Sequence, residues 1–590
     1  QYDRTGRLTA AISGGMRYDY RYDKKNQLLA KTAGGRTLVS YAYDADGNRT
    51  ASTDVTGNCT KYTYDLLGRM TGVRDEKTGF LATYEYTKAG DLKKVDTPVL
   101  HTAYAYDGDR NLTALRTMAA GDASVEKILA DNTYRYNKNG QRTEKTTLAG
   151  TTKYTYDVLG QLIQENNHIY TYDRAGNRTS VQAGDRRESY HYDRGRLTTR
   201  TVEHTQDPAG KTYTYRYDAQ GNTLGDGENT YLYDCLNRIA EVQTKAGDIQ
   251  KNHYDAEGLR SQMEENGKLV SFIYADREVI TEEDEAGEHI RYIRGHELLA
   301  SDSAHARTYY HYACDEMGSI TDITDCHGTV LNHYAYDAFG NRTVEEETVE
   351  NRFGFAGEIL DAVTGQYYLR ARFYNPVIAR FLSEDTYYGD GLNLYAYCHN
   401  NPVGYVDPSG HICEKKYQEL KKKEAGGGTL SEKERQQIYE YEQNQKKSSG
   451  AGSGSKTPSE IAKSWQGTGK YPGIDDYVDV NVKKGTVLYR GEPNGTEYFT
   501  TIDAIEQSGR DATKLFEGLQ VEKHPLYGYR REMQGYIFNE DVASAYGLTY
   551  ANPQFGKGGL PQYYVPNVQN LIDKGILTPV DNIKLNKGES

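Results

Sequence analysis

The stretch Tyr41-Ala-Tyr43-Asp44-Ala-Asp-Gly47-Asn48-Arg49 decides how most of this chain folds. Tyrosines at i and i+2 fall on one face of a strand. Asp then Gly supplies a turn, because the short carboxylate bonds nearby backbone and glycine takes positive φ at no steric cost. The Thr-rich run that begins at Arg49 is the returning strand, so the phrase predicts one β-hairpin. It recurs in full at Tyr62-Thr-Tyr64-Asp65-Leu-Leu-Gly68-Arg69, Tyr170-Thr-Tyr172-Asp173-Arg-Ala-Gly176-Asn177-Arg178 and Tyr334-Ala-Tyr336-Asp337-Ala-Phe-Gly340-Asn341-Arg342. Weaker copies stand at Tyr86, Tyr106, Tyr136, Tyr156, Tyr192, Tyr217, Tyr233 and Tyr254. The usual spacing is roughly 20 residues, and hairpins of that size must stack on their neighbours to bury a tyrosine ladder. The array accounts for 55 Tyr beside only 11 Phe and a single Trp in 590 residues. Tyrosine suits the task because its ring packs while its hydroxyl meets water or a partner. The functional alternative for these tyrosines is sugar or heparin binding from an exposed face.

The bulk numbers exclude several classes. Gly, at 60 residues, shows no G-X-Y period, so the chain is not collagen-like. Hydrophobic content of 37% with 26% charged residues suffices for packed domains. No apolar run is long enough to span a membrane. A formal net charge of -13 argues against a chain-wide nucleic-acid surface. Cys59, Cys235, Cys314, Cys326, Cys398 and Cys413 form no C-x-x-C pair, so neither zinc nor redox chemistry is signalled. The chain begins inside a repeat and without Met, and is expected to be the C-terminal part of a longer protein with an upstream secretion or delivery module.

The recurring phrase resembles the YD repeat of the RHS/YD-repeat family, over about residues 1–410. The resemblance implies a mainly β fold, with an antiparallel sheet that spirals into a hollow shell over residues 1–350. His311-Tyr-Ala-Cys-Asp315-Glu-Met-Gly318-Ser319 resembles a further strand motif of that family. Gly365-Gln-Tyr-Tyr-Leu-Arg370-Ala-Arg372-Phe-Tyr374-Asn-Pro376, Arg380-Phe-Leu-Ser383 and Asn400-Asn401-Pro402 through Asp407-Pro408-Ser-Gly410 closely resemble its RHS-associated core domain. Residues 351–411 are therefore read as a plug that closes the shell. In many family members this region also cuts its own chain with an aspartyl pair, one carboxyl holding a proton for the leaving amine and the other activating water. Asp385 and Asp407 match the two motif aspartates, and Arg372 or Arg380 would bias their proton sharing. The cut is expected just after His411. Two departures from the family pattern stand here: Thr386 replaces Pro, and His411 replaces Leu.

Composition changes after Gly410. Residues 412–456 read as one or two short charged helices followed by the flexible linker Ser448-Ser-Gly-Ala-Gly-Ser-Gly-Ser455. Residues 457–590 read as a small α+β domain without the repeat phrase. His524 is its only histidine and no cysteine follows Cys413, which excludes a zinc deaminase and disfavours a histidine-metal nuclease. A near-balanced, slightly acidic charge disfavours nucleic acid as substrate.

Three short segments of this domain carry positive signals. Gly485-Thr-Val-Leu-Tyr489-Arg490-Gly491 is a strand ending in an arginine able to fork onto phosphate. Gly495-Thr-Glu497-Tyr498-Phe499-Thr500 is a second strand, and Tyr529-Arg530-Arg531-Glu532 groups two guanidiniums with a carboxylate. Phe555-Gly-Lys-Gly558-Gly559-Leu-Pro-Gln562-Tyr563 is a glycine-rich loop entering a strand. Their order is similar to the NAD-degrading domain of the tuberculosis-necrotizing-toxin type. That resemblance implies NAD as substrate, with no separate cofactor and no metal. It makes Arg490 a phosphate clamp, Tyr498 a wall of the nicotinamide pocket, and Gln562 the holder of ribose or attacking water. Arg530 stands near the place of the family's catalytic histidine, and Glu532 or Glu497 would stabilise the developing cation. Tyr489, Phe499, Phe555, Gly558 and Gly559 would complete the NAD site. The expectation is a secreted or cell-surface toxin whose tail acts in a target-cell cytoplasm and is neutralised by an immunity protein. The alternatives are a mono-ADP-ribosyltransferase tail, or a non-enzymatic adhesion or carbohydrate-binding repeat protein.

Overall fold

The computed structural model describes residues 1–411 except 5, 121–125, 304–308 and 387–392, and then 458–459, 462, 477–492, 497–519, 521, 529–549, 558–566 and 568–586. The chain divides into two compact units, Gln1–Gly452 and Ser453–Ser590. The expected helices and linker of 412–456 lie outside the described residues, as do His524 and Phe555. No helix among the described residues is long and apolar enough to cross a membrane.

The first unit is built from antiparallel sheets of 20, 14 and 4 strands. Each copy of the phrase forms the predicted hairpin turn. In the first full copy, Asp44 Oδ1 accepts from the backbone of Asp46 at 3.0 Å and of Asn48 at 2.9 Å. Its other oxygen accepts from the Asn48 side chain at 2.9 Å, and Gly47 sits at φ 95°.

The structure gives the tyrosine hydroxyl a more definite task than meeting water. At the second tyrosine of each phrase the register slips by one residue, as between Ala42 and Tyr43, where Tyr43 faces Arg49. Such a bulge interrupts the ladder at the returning strand. The next repeat fills the gap: Tyr64 donates to the Arg49 carbonyl at 2.9 Å. The same bond joins Tyr86 to Met70, Tyr156 to Arg142, Tyr192 to Arg178 and Tyr254 to Ile239, each acceptor being the bulge partner of the preceding tyrosine. Phenylalanine would pack equally well but leave that carbonyl unanswered, which is why the chain uses tyrosine. Tyr64→Phe is expected to lower stability by about 1 kcal/mol, read from the urea midpoint.

The array then returns on itself. Tyr18 donates to Asp255 at 3.1 Å and Lys31 pairs with Glu257 at 2.9 Å. Arg291 bridges Asp54 at 2.5 Å and Asp75 at 2.8 Å. Further along, the Ala338 amide donates to Glu165 at 3.0 Å. These pairs are 216 to 237 residues apart near the start of the array and 173 apart near its end, so later turns cover earlier strands as successive coils of a spiral. The tip Phe339, buried against Tyr170 with ring centroids 5.1 Å apart, is one such cover.

Residues 353–411, within the segment expected to be a plug, pack against these strands. Strands Ile359–Asp361, Gln366–Leu369, Arg372–Asn375 and Arg380–Phe381 form the small sheet. Tyr367 and Tyr374 donate to the carbonyls of Gly340 and Phe339 at 3.0 and 2.7 Å. Arg260 and Asp361 pair at 2.7 Å with both side chains fully buried.

The second unit has two smaller sheets. Val487–Glu492, Glu532–Phe538 and Leu577–Lys584 form one. Val478–Val482, Val542–Leu548, Pro561–Tyr564 and Tyr498–Phe499 form the other. The pair Tyr489 and Thr500 bridges them. Helix Ile502–Gln507, capped by Thr501, and helix Ala512–Gly518, capped by Asp511, pack Ile505, Leu515 and Phe516 into a core with Tyr489 and Met533.

Candidate functional sites

In the plug, strand Arg372–Asn375 aims Arg372 at a loop that returns through Asp385 and at the turn Asp407-Pro408-Ser409-Gly410. Arg372 Nη2 lies 2.6 Å from Asp385 and 4.0 Å from Asp407, and all three side chains are buried. Its Nε donates to the Gly410 carbonyl and its Nη1 to the Leu394 carbonyl at 3.0 Å. Asp407 Oδ1 accepts from the backbone of Ser409, Gly410 and His411 at 3.1, 2.9 and 3.2 Å. His411 Nδ1 is 2.8 Å from Asp385 Oδ1. Burial pushes the Asp407 carboxyl up and the charge of Asp385 adds to this, while Arg372 and His411 oppose it. Gly410 is confined: at φ 76°, a Cβ there would stand 2.5 Å from the Leu369 carbonyl oxygen.

The structure brings Asp385, Asp407, Arg372 and His411 together. Arg380 requires a correction. It lies between the rings of Tyr192 and Tyr395 and donates to Asn177 and Gly195, bolting the plug to the shell away from the aspartyl pair. Alternation along the motif gave no warning, since its acceptors in the shell are separated from it by 203 and 185 positions.

In the second unit, Arg490 lies inside strand Val487–Glu492 and not at the strand end the sequence suggested, with its guanidinium 5.3 Å from the Tyr536 ring centroid and 5.9 Å from that of Phe499. The register sets Arg490 opposite Gln534 and Glu492 opposite Glu532. Residues facing each other, and those two apart, share a face, so Arg490, Gln534 and Glu532 stand on one side of this sheet. Glu532 accepts from Asn582 at 3.3 Å. Arg530 stands elsewhere: a Cβ on Gly491 would come within 2.9 Å of its side chain and 3.2 Å of Phe516, which places it on the opposite face from Arg490. The structure therefore brings Arg490 and Glu532 together but not Arg530.

Two aromatic expectations also change. Phe499 is a core residue, edge-on to Tyr536 and Phe538, and it supports Arg490 instead of lining an open pocket. Tyr489 points into the other core and donates to Asp581 at 3.0 Å, an acid that no sequence signal singled out. Tyr498 packs on Tyr564 with centroids 5.3 Å apart, and Tyr564 donates to Glu497 at 2.8 Å. Gln562 is buried, with its carbonyl accepting from Tyr477 and its amide donating to the Leu519 carbonyl at 3.2 Å. One N–H and one lone pair of that amide remain for a further contact. Gly558 and Gly559 both take positive φ, and a Cβ on Gly559 would meet nothing within 4 Å.

Comparison with known proteins agrees with this division. Residues 43–79 match the RHS repeat, 141–403 the teneurin YD-shell and 454–567 the Rhs1 C-terminal toxin domain. The chain is 31% identical over 396 residues to the tRNA3(Ser)-specific nuclease WapA of Bacillus spizizenii, with 63% of this chain and 16% of that protein covered. It is 28% identical over 320 residues to the double-stranded DNA deaminase toxin A of Burkholderia cenocepacia, with 47% and 22% covered. Among solved structures, TcdB2-TccC3 shares the fold with a TM-score of 0.52 at 19% identity, covering 70% of this chain and 24% of that one. The chain thus spans less than a quarter of the length of each of these proteins.

Proposed function

We propose that this chain, whose repeats, YD-shell match and C-terminal toxin match support an RHS/YD-repeat polymorphic toxin, carries an effector that hydrolyses NAD to nicotinamide and ADP-ribose. The observation that carries the reading is Arg490, held over two aromatic rings on the same sheet face as Glu532. A guanidinium so placed clamps a pyrophosphate, and a carboxylate on that face supports an oxocarbenium-like ribose in the transition state. Nicotinamide is a good leaving group, so orientation and electrostatic support suffice. Gln562, with its remaining N–H and lone pair, would hold the ribose or the attacking water. The toxin-domain match at 454–567 also supports a cognate immunity protein as partner.

Nucleic acid is the second reading, because relatives bear the names of a tRNA nuclease and a DNA deaminase. Against it, a tail with one histidine and no cysteine lacks zinc-deaminase ligands. Incubating the protein separately with NAD, tRNA and duplex DNA separates the readings. Free ADP-ribose supports the hydrolase, label transferred to protein supports an ADP-ribosyltransferase, and cut or deaminated nucleic acid with intact NAD overturns both.

The plug would release the effector by cutting its own chain. Asp407, pushed up by burial, is the proton carrier, and Asp385, paired with Arg372, activates water. Asp407→Asn is expected to abolish the fragment beginning at Ile412 in mass spectra of the purified chain. An unchanged fragment pattern in that variant would remove Asp407 from the reaction.

A further inference from the structure

We propose that His411 is a brake on self-cleavage, holding the carboxylate that must activate water. The inference rests on the self-cleavage reading above and concerns the residue where this chain departs from the family pattern. Both oxygens of Asp385 are engaged: Oδ2 by Arg372 at 2.6 Å and Oδ1 by His411 Nδ1 at 2.8 Å. His411 is anchored at its other end as well, its backbone amide lying 3.2 Å from Asp407 Oδ1 and 3.1 Å from Ser409 Oγ. The imidazole is thus delivered to Asp385 by the turn that carries the expected cut.

A general base works by taking a proton, and each donor bonded to its charged form weakens it. In the cleavage step, Asp385 takes one proton from water as the water oxygen bonds to the carbonyl carbon. The C–N bond then breaks and the amine leaves with the proton from Asp407. Atoms balance with water as the only co-reactant. Arg372 is needed for this arrangement, since it also holds the Gly410 carbonyl. His411 is not needed in the same way: removing its imidazole leaves Arg372 in place and takes one donor from Asp385.

Among the described residues, the charged groups around the imidazole are Arg372 from the plug sheet, Asp385 from the returning loop and Asp407 from its own turn. An apolar residue at 411 has no such donor.

The test follows fragment formation by the full chain after rapid dilution from denaturant, for the wild type, His411→Leu, His411→Gln and Asp407→Asn. His411→Leu is expected to cut about 10-fold faster than wild type, a size set by loss of one charge-assisted hydrogen bond. His411→Gln keeps a neutral donor and is expected to lie between them. Cleavage that depends on Asp407 but is equally fast or slower in His411→Leu overturns the brake and leaves the self-cleavage reading standing. Absence of cleavage in the wild type with its appearance in His411→Leu supports the brake. No cleavage in any variant, with folding confirmed by circular dichroism, overturns both.

Discussion

Replacing Arg260 with alanine is expected to cost the shell about 3–5 kcal/mol, the largest effect of any single change considered for this fold. Arg260 and Asp361 are both fully buried, the first on the shell wall and the second on the plug. The guanidinium lies 4.5 Å from the Tyr368 ring centroid and 5.6 Å from those of Phe272 and Phe373. Removing it strands Asp361 in an apolar cluster with only the Gln250 amide, at 2.7 Å, as a donor. Two ions in such a place are costly even when paired, so the pair itself is a poor source of net stability. What it provides is a single seat for the plug. The double change Arg260→Met with Asp361→Leu is therefore expected to recover most of the loss. Urea unfolding followed by tyrosine fluorescence reads the stability. Amide exchange over 359–369 shows whether the loosened element is the plug. A single variant as stable as wild type would mean that the pair is not the joint between plug and wall.

The second large effect concerns the effector. Arg490→Ala is expected to lower NAD hydrolysis by roughly 100- to 1000-fold, as for loss of a charged group that stabilises a transition state. Its fold cost should be small, because the Phe499, Tyr536 and Phe538 core beneath it stays filled. Arg490→Lys keeps the charge but not the fork, and is expected to restore only part of the rate. Glu532→Gln on the same face should act mainly on the rate and little on NAD binding. Arg530→Ala is the contrast: on the opposite face beside Gly491 and Phe516, it is expected to leave the rate within a few-fold of wild type.

Most of the shell was legible in the chain because its signal is periodic and local. Tyr-x-Tyr followed by Asp and Gly specifies strand, bulge and turn within about ten residues, and repetition removes ambiguity. The reason for tyrosine over phenylalanine was not legible, since the Tyr64 hydroxyl answers a carbonyl at Arg49, in the preceding hairpin. Asp385, Asp407 and Arg372 were singled out through the family resemblance alone, and the fold brings them within one small sheet and its loops. Arg380 was misplaced because its contacts at Asn177 and Gly195 depend on how the spiral closes, which no local pattern encodes. In the effector the strands carry little amphipathic regularity. Tyr489 and Phe499 looked like pocket walls, but both are buried, and Arg530, read as standing near the place of the family's catalytic histidine, lies beside Gly491 on the opposite face from Arg490. Asp581 had no signal at all, and only the pairing of the last strand with Glu532–Phe538 brings it to Tyr489.

The most direct test of the account is a single chromatogram. The purified chain and its C-terminal unit, Ser453–Ser590, are each incubated with NAD, and nicotinamide and ADP-ribose are quantified over time, with Arg490→Ala alongside. The account predicts equal amounts of free nicotinamide and free ADP-ribose from the C-terminal unit, and a much slower release from Arg490→Ala. Intact NAD in the presence of a folded C-terminal unit would contradict it.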